Sequence, residues 1–149
     1  MSEIKLPLTL IGTALIIYTG FGFATAGPAG AVAAVFLLLL KALITSILGI
    51  VACLGTAQIL NTNFGTIKSA SANLAAVALF PGAVGLLMAL ILSALISPVL
   101  GMMLVALTVI VLTFGLLKSL FDLEFFELVV FVLILWGVSW AAEQVIGWL

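Results

Sequence analysis

The sequence predicts an all-α, polytopic membrane helical bundle of about five transmembrane helices. Three observations carry that expectation. Of the 149 residues 66% are apolar, 6% are charged, and the mean hydropathy is +1.58, whereas soluble domains are about half apolar and a quarter charged. The apolar residues fall into runs of the roughly 20 residues needed to cross a hydrocarbon core of about 30 Å. Clusters of Gly, Pro and polar residues, the usual breakers, separate those runs.

Residues 6–26 form the first expected span. Lys5 ahead of it and Ala24-Thr25-Ala26 at its end resemble a signal peptide. The apolar run from Leu6 to Phe23 is longer than the usual signal core of about 7 to 15 residues, so it is read as a retained span. Gly27-Pro28-Ala29-Gly30 closes it as a tight turn, with φ fixed at Pro28 and glycine freedom on either side. Residues 31–60 form the second span.

The polar stretch 61–73 is expected to be a loop, because unpaired backbone is not tolerated in lipid, with Ser71 or Asn73 capping the helix that follows. The third span covers 74–96, with a kink or N-terminal irregularity at Pro81-Gly82. Ser97-Pro98 makes a short reversal into the fourth span, 99–117. Residues 118–124 form a second polar loop, and 125–148 the fifth span. These spans are expected to fill the chain as one transmembrane domain, 1–149, with no soluble domain at either end.

Cytoplasmic loops carry the excess of Lys and Arg. Five spans place the N-terminus and the 61–73 and 118–124 loops on one side, which then holds Lys5, Lys68 and Lys118. The Gly27-Pro28 turn, the Ser97-Pro98 turn and the C-terminus hold no basic residue. The N-terminus is therefore expected to be cytoplasmic and the C-terminus outside, in a membrane read as the bacterial inner (cytoplasmic) one.

Composition also narrows function. The chain has four Lys, five acids and no Arg, so it lacks a basic patch able to neutralise a series of phosphates, and nucleic acid is not an expected partner. With no His, haem ligation and most catalytic metal sites lose their usual ligand, and no cofactor is expected. Cys53, the single cysteine, has no disulfide or thiolate partner and reads as a small packing residue. No Ser/His/Asp, Cys/His or paired intramembrane carboxylate arrangement is present, so no enzyme is expected.

Lys41 is the most unusual residue, flanked by Leu37-Leu38-Leu39-Leu40 and Ala42-Leu43-Ile44. A charge at the bilayer centre costs at least about 2.5 to 3.5 kcal/mol and needs a partner or an escape. The second segment, about 45 Å long at 1.5 Å per residue, exceeds the membrane core. If residues 42–60 alone span, Lys41 falls at the outer interface and its ammonium snorkels to water. Glu143, near the external end of the fifth span, could pair with Lys41 there, or the two could serve an ion relay.

Asp122, Glu124 and Glu127 precede a helix whose N-terminus favours negative charge, so capping, with Asp122 as N-cap, outweighs a metal site. Small residues recur every fourth position: Thr45, Gly49, Cys53 and Ala57 on the second span, and Pro81, Gly85, Ala89, Ser93 and Ser97 on the third. Such stripes let helix backbones approach closely in lipid, against helices of this chain or a neighbour. Trp148 suits an interfacial belt, whereas Trp136 and Trp140, at i and i+4, lie deeper and suit packing, lipid or partner contact.

The run Phe114-Gly115-Leu116-Leu117-Lys118-Ser119-Leu120-Phe121-Asp122-Leu123, followed by an unbroken apolar span, resembles the hairpin of the Yip family of small five-span membrane proteins. The resemblance covers residues 64–148 at most and implies a non-enzymatic membrane organiser. The preferred expectation is a non-catalytic membrane subunit or scaffold packing into a larger assembly, with the lipid bilayer, other membrane subunits or self-association as partners. The alternative is a small pore-forming, transport or holin-like protein using Lys41 and Glu143.

Overall fold

The computed structural model describes residues 4–147. They form an all-α bundle of four helices: α1 (Lys5–Leu60), α2 (Ile67–Leu92), α3 (Pro98–Phe121) and α4 (Phe125–Gly147). All four are long and apolar enough to cross a membrane.

α1 joins the first two expected spans, yet its 56 residues would stretch about 84 Å if straight. Helical geometry breaks at Ala26 (φ −141°, ψ 18°) and Gly27 (φ 65°, ψ −154°). A positive φ at Gly27 costs nothing for want of a Cβ, and Pro28 restarts the helix at the position where its missing N–H is harmless. The two arms then fold onto each other. Gly22 and Gly30 would stand about 12 Å apart on a straight helix, but here their backbones touch. A Cβ on Gly22 would lie 2.6 Å from the Gly30 carbonyl oxygen and 3.0 Å from Ala34 Cβ. Residues 5–25 and 28–60 therefore make an antiparallel helical hairpin.

α2 lies along both arms. It runs parallel to the first, with Gly82 against the Tyr18 hydroxyl, and antiparallel to the second, where a Cβ on Gly49 would come within 2.5 Å of Leu74. Ser46 Oγ also donates to the Ser71 carbonyl at 3.3 Å. α3 returns antiparallel on the other face of α2, with Val105 and Val109 against Gly85. α4 does not stay beside α3, although three residues join them. It packs chiefly on the second arm of α1, where Ile134 meets Gly55.

Several boundaries depart from expectation for identifiable reasons. α2 begins at Ile67, so most of the expected 61–73 loop is helical, and the cap is Thr66, whose Oγ1 accepts from Ser69 N–H at 3.2 Å, rather than Ser71 or Asn73. α2 ends at Leu92, α3 extends to Phe121, and α2 continues through Pro81 without a break. Pro81 is fully buried, so packing on both sides holds the helix across the missing hydrogen bond.

Two apolar cores result. One, near the α2 N-terminus, gathers Cys53, Phe64, Leu74, Leu117, Phe121 and Phe131. The other, nearer the hairpin turn, is Ala14, Leu38, Leu79 and Ala83.

Candidate functional site

Polar residues converge at one end of the bundle. The start of α1, the loop before α2 and the end of α3 meet around a cleft of about 370 Å³ whose lining includes Leu6, Asn63, Ser69, Asn73, Ser119 and Asp122. Ser69 and Asn73, four residues apart, present one face of α2 to it, and Gly65 of the preceding loop joins them. Lys5, Lys68 and Lys118 each immediately precede a lining residue, and all three are exposed. The end expected to hold three lysines is thus a single structural region.

Asn73 organises this region. Only 6% exposed, it donates from Nδ2 to the Leu120 carbonyl at 2.9 Å and so ties α2 to the last turn of α3. Its Oδ1 is buried and has no hydrogen-bond partner among the described residues. Below it the rings of Phe64, Phe121 and Phe131 form a closed triad. Centroids lie 5.6 Å apart for Phe64–Phe121 and Phe64–Phe131, and 6.1 Å apart for Phe121–Phe131, within the range of favourable aromatic contact.

The acids at this end play separate roles. Asp122, expected as the α4 N-cap, instead terminates α3 in the left-handed region (φ 51°, ψ 42°), its N–H bonded to the Lys118 carbonyl. Asp and Asn are the non-glycine residues that tolerate this conformation best, and Asn61 ends α1 in the same way (φ 54°, ψ 31°). Glu124 holds the N-cap position of α4, its carbonyl accepting the first helical bond from Leu128 N–H at 2.9 Å. Glu127 reaches back, as in a capping box: Oε2 accepts from Glu124 N–H at 2.8 Å, and Oε1 accepts from Thr62 Oγ1 at 2.7 Å. That carboxylate fastens the α1–α2 loop to α4. Among the described residues no three His, Cys, Asp or Glu gather as a metal site.

Lys41 and Glu143 are both exposed. The hairpin register set by Gly22, Gly30 and Ala34 places Lys41 opposite residues 11–15, and Ile11 and Ala42 do share a groove. Lys41 then stands about 21 Å along the hairpin from the turn and about 10 Å short of Lys5. It is nearer the lysine-bearing end than the outer one, where the surplus length of the second segment would put it.

The small-residue stripes divide. On α1, Gly49 and Cys53 are buried and Thr45 and Ala57 are half-buried, so that stripe is used within the chain. On α2, Pro81 and Gly85 are buried and Ala89 is exposed; Ser93 and Ser97 lie beyond the end of α2, in the turn to α3, and are exposed as well. These three and Gly101, together with the larger Leu92, Pro98, Met102 and Val105, line a surface groove of about 500 Å³ between α2 and α3. Trp136 and Trp140 also face outward, while Trp148 lies outside the described residues.

Sequence reasoning passes over Asn73 as the tie between α2 and α3, Thr62, and the Phe64, Phe121 and Phe131 triad. The spacing of four between Ser69 and Asn73 could have revealed that face of α2; the triad joins three distant segments and has no local signal.

No family model, curated protein or solved structure matches this chain.

Proposed function

We propose that this chain is a non-catalytic, multi-pass membrane subunit or scaffold whose outer helices pack against further membrane protein, a neighbour or a second copy. The observation that carries the reading is the groove of Ala89, Ser93, Ser97 and Gly101. It continues a stripe whose inner half, at Gly85, already seats α3, so the same surface chemistry that packs a helix inside the chain lies open outside it. Helix association in lipid favours such small-residue surfaces. Burial points the same way: 33% of the core of the α2 span is buried, against 6% for α3 and 11% for α4.

In this reading the arms of α1 each cross the membrane, giving five spans with the lysine-bearing end in the cytoplasm of a bacterial inner membrane. The hairpin turn and the convergence of Lys5, Lys68 and Lys118 support that orientation. The likeness of residues 114–123 to the Yip hairpin belongs to the same proposal, as a membrane organiser without chemistry of its own.

Purification in mild detergent tests it. A complex or homo-oligomer that falls apart on Ser93→Phe, a bulky side chain in the groove, is the expected outcome. A monodisperse monomer from native membranes, with no co-purifying protein, would contradict it.

A further inference from the structure

The groove shared by Ile11 and Ala42 is open on the surface of the bundle and lies between the two arms of α1 and α2, with a volume of about 580 Å³. Each of the three helices gives it one face. Ile4, Leu8 and Ile11 on the first arm and Lys68, Ala72 and Ala75 on α2 both keep the i, i+4, i+7 spacing of a helical stripe. Because α2 runs parallel to the first arm, Ile4 and Lys68 mark the end of the groove at the lysine-bearing side. Ile11 and Ala75 lie seven residues further in, about 10 Å along the helices. That length is about two thirds of the hydrocarbon depth of one leaflet, roughly 15 Å.

The two ends of the groove differ in chemistry. Its inner part is apolar, with Leu8, Leu39 and Leu43 exposed along it and Ala42, Ala72 and Ala75 half-buried. Its outer end carries Lys68, the only charged side chain in the lining among the described residues. The hydroxyl protons nearby are already committed: Ser46 Oγ donates to the Ser71 carbonyl at 3.3 Å, and Ser71 Oγ donates to the Lys68 carbonyl at 3.0 Å. The ammonium of Lys68 is therefore the side-chain donor that the groove offers a ligand. α2 begins beside it with no acid in its first turn, so the helix dipole adds to the positive potential.

An apolar trough ending at a cation on the membrane surface complements an amphiphile with a hydrocarbon chain below an anion. A helix of another protein fits less well, since close helix approach in lipid uses small residues and both arms of α1 present leucines here. We propose that this groove holds one acyl chain of an anionic phospholipid, whose phosphate meets Lys68. A zwitterionic lipid brings no net charge to that lysine. The proposal rests on the membrane-spanning reading but not on a partner protein, so a monomeric preparation leaves it intact.

The test uses the full chain reconstituted in vesicles of equal phosphatidylglycerol and phosphatidylcholine with identical acyl chains, extracted in mild detergent, with retained lipid measured by mass spectrometry. Retained lipid is expected to favour phosphatidylglycerol about fivefold over the vesicle ratio, the worth of one lysine near an anionic lipid. Lys68 is exposed, so Lys68→Gln leaves the fold intact and should bring the ratio down to that of the vesicles. Ala72→Phe, which fills the groove, should lower the retained phosphatidylglycerol. Lys118→Gln, on α3 and outside the groove, should keep the preference. Retention at the vesicle ratio, an unchanged preference in Lys68→Gln, or an equal loss in Lys118→Gln would each overturn the assignment. So would a co-purifying protein that leaves on Ala72→Phe while the lipid stays.

Discussion

The two ends of the bundle are built on different principles. The lysine-bearing end is held by particular side chains from distant segments: the Phe64, Phe121 and Phe131 triad, the Asn73 bond to Leu120 and the Glu127 bond to Thr62. The hairpin end is held by close backbone approach, with Gly22 and Gly30 in contact, and by a small aliphatic core of Ala14, Leu38, Leu79 and Ala83 farther from the turn. Water-accessible polar groups can order a structure at a membrane surface, whereas in lipid close backbone approach takes their place. The surfaces differ in the same sense. The polar end surrounds a cleft lined in part by short polar side chains, while the groove between α2 and α3 is lined almost wholly by apolar atoms.

Substitutions can break that comparison. The largest effect is expected at Phe131, which is fully buried at the centre of the triad. Phe131→Ala should cost about 3 to 5 kcal/mol, measured by denaturant unfolding in detergent, and should loosen the lysine end first by hydrogen exchange. Next is Gly30→Leu, which forces a side chain into the Gly22 backbone. A loss of about 1 to 3 kcal/mol is expected from overpacking, with exchange rising in residues 19–35 while the lysine end stays protected. Equal loosening of both ends by either change would erase the distinction.

Asn73→Leu leaves the Leu120 carbonyl without its donor and should cost about 1 kcal/mol in the same unfolding assay. Thr62→Val should have the smallest effect, since Glu127 is partly open to solvent and water replaces the lost bond readily. A Thr62→Val protein as unstable as Phe131→Ala would mean that polar fastening, rather than aromatic packing, holds this end.

Much of this architecture is legible in local residue pattern. The apolar runs mark the helices long and apolar enough to cross a membrane, and Gly27-Pro28 marks the reversal, because φ freedom and a missing N–H act within a few residues. The start of α2 is harder to place because Ser69, Ser71 and Asn73 look like loop residues by composition, although Ser69 and Asn73 keep helical spacing. Asp122 points to the wrong helix because its side chain suits an N-cap, while its backbone takes the left-handed form that ends α3. Surplus length in one segment puts Lys41 at the outer interface; its level follows instead from the pairing of two arms, which Gly22 and Gly30 set only in three dimensions. The candidate cleft is mostly invisible in the sequence, since it joins α1, α2 and α3 across long separations.

Sidedness of the hairpin tests the central claim most directly. Single cysteines at Ala29, Asn63, Ser97 and Asp122, in a Cys53→Ala background, can be labelled in intact cells with a membrane-impermeant thiol reagent, before and after permeabilisation. Five spans with the lysine-bearing end inside predict that Ala29 and Ser97 label in intact cells, and that Asn63 and Asp122 label only after permeabilisation. Labelling of Ala29 from the same side as Asn63 would show that the two arms of α1 do not each cross the membrane, and would contradict the account.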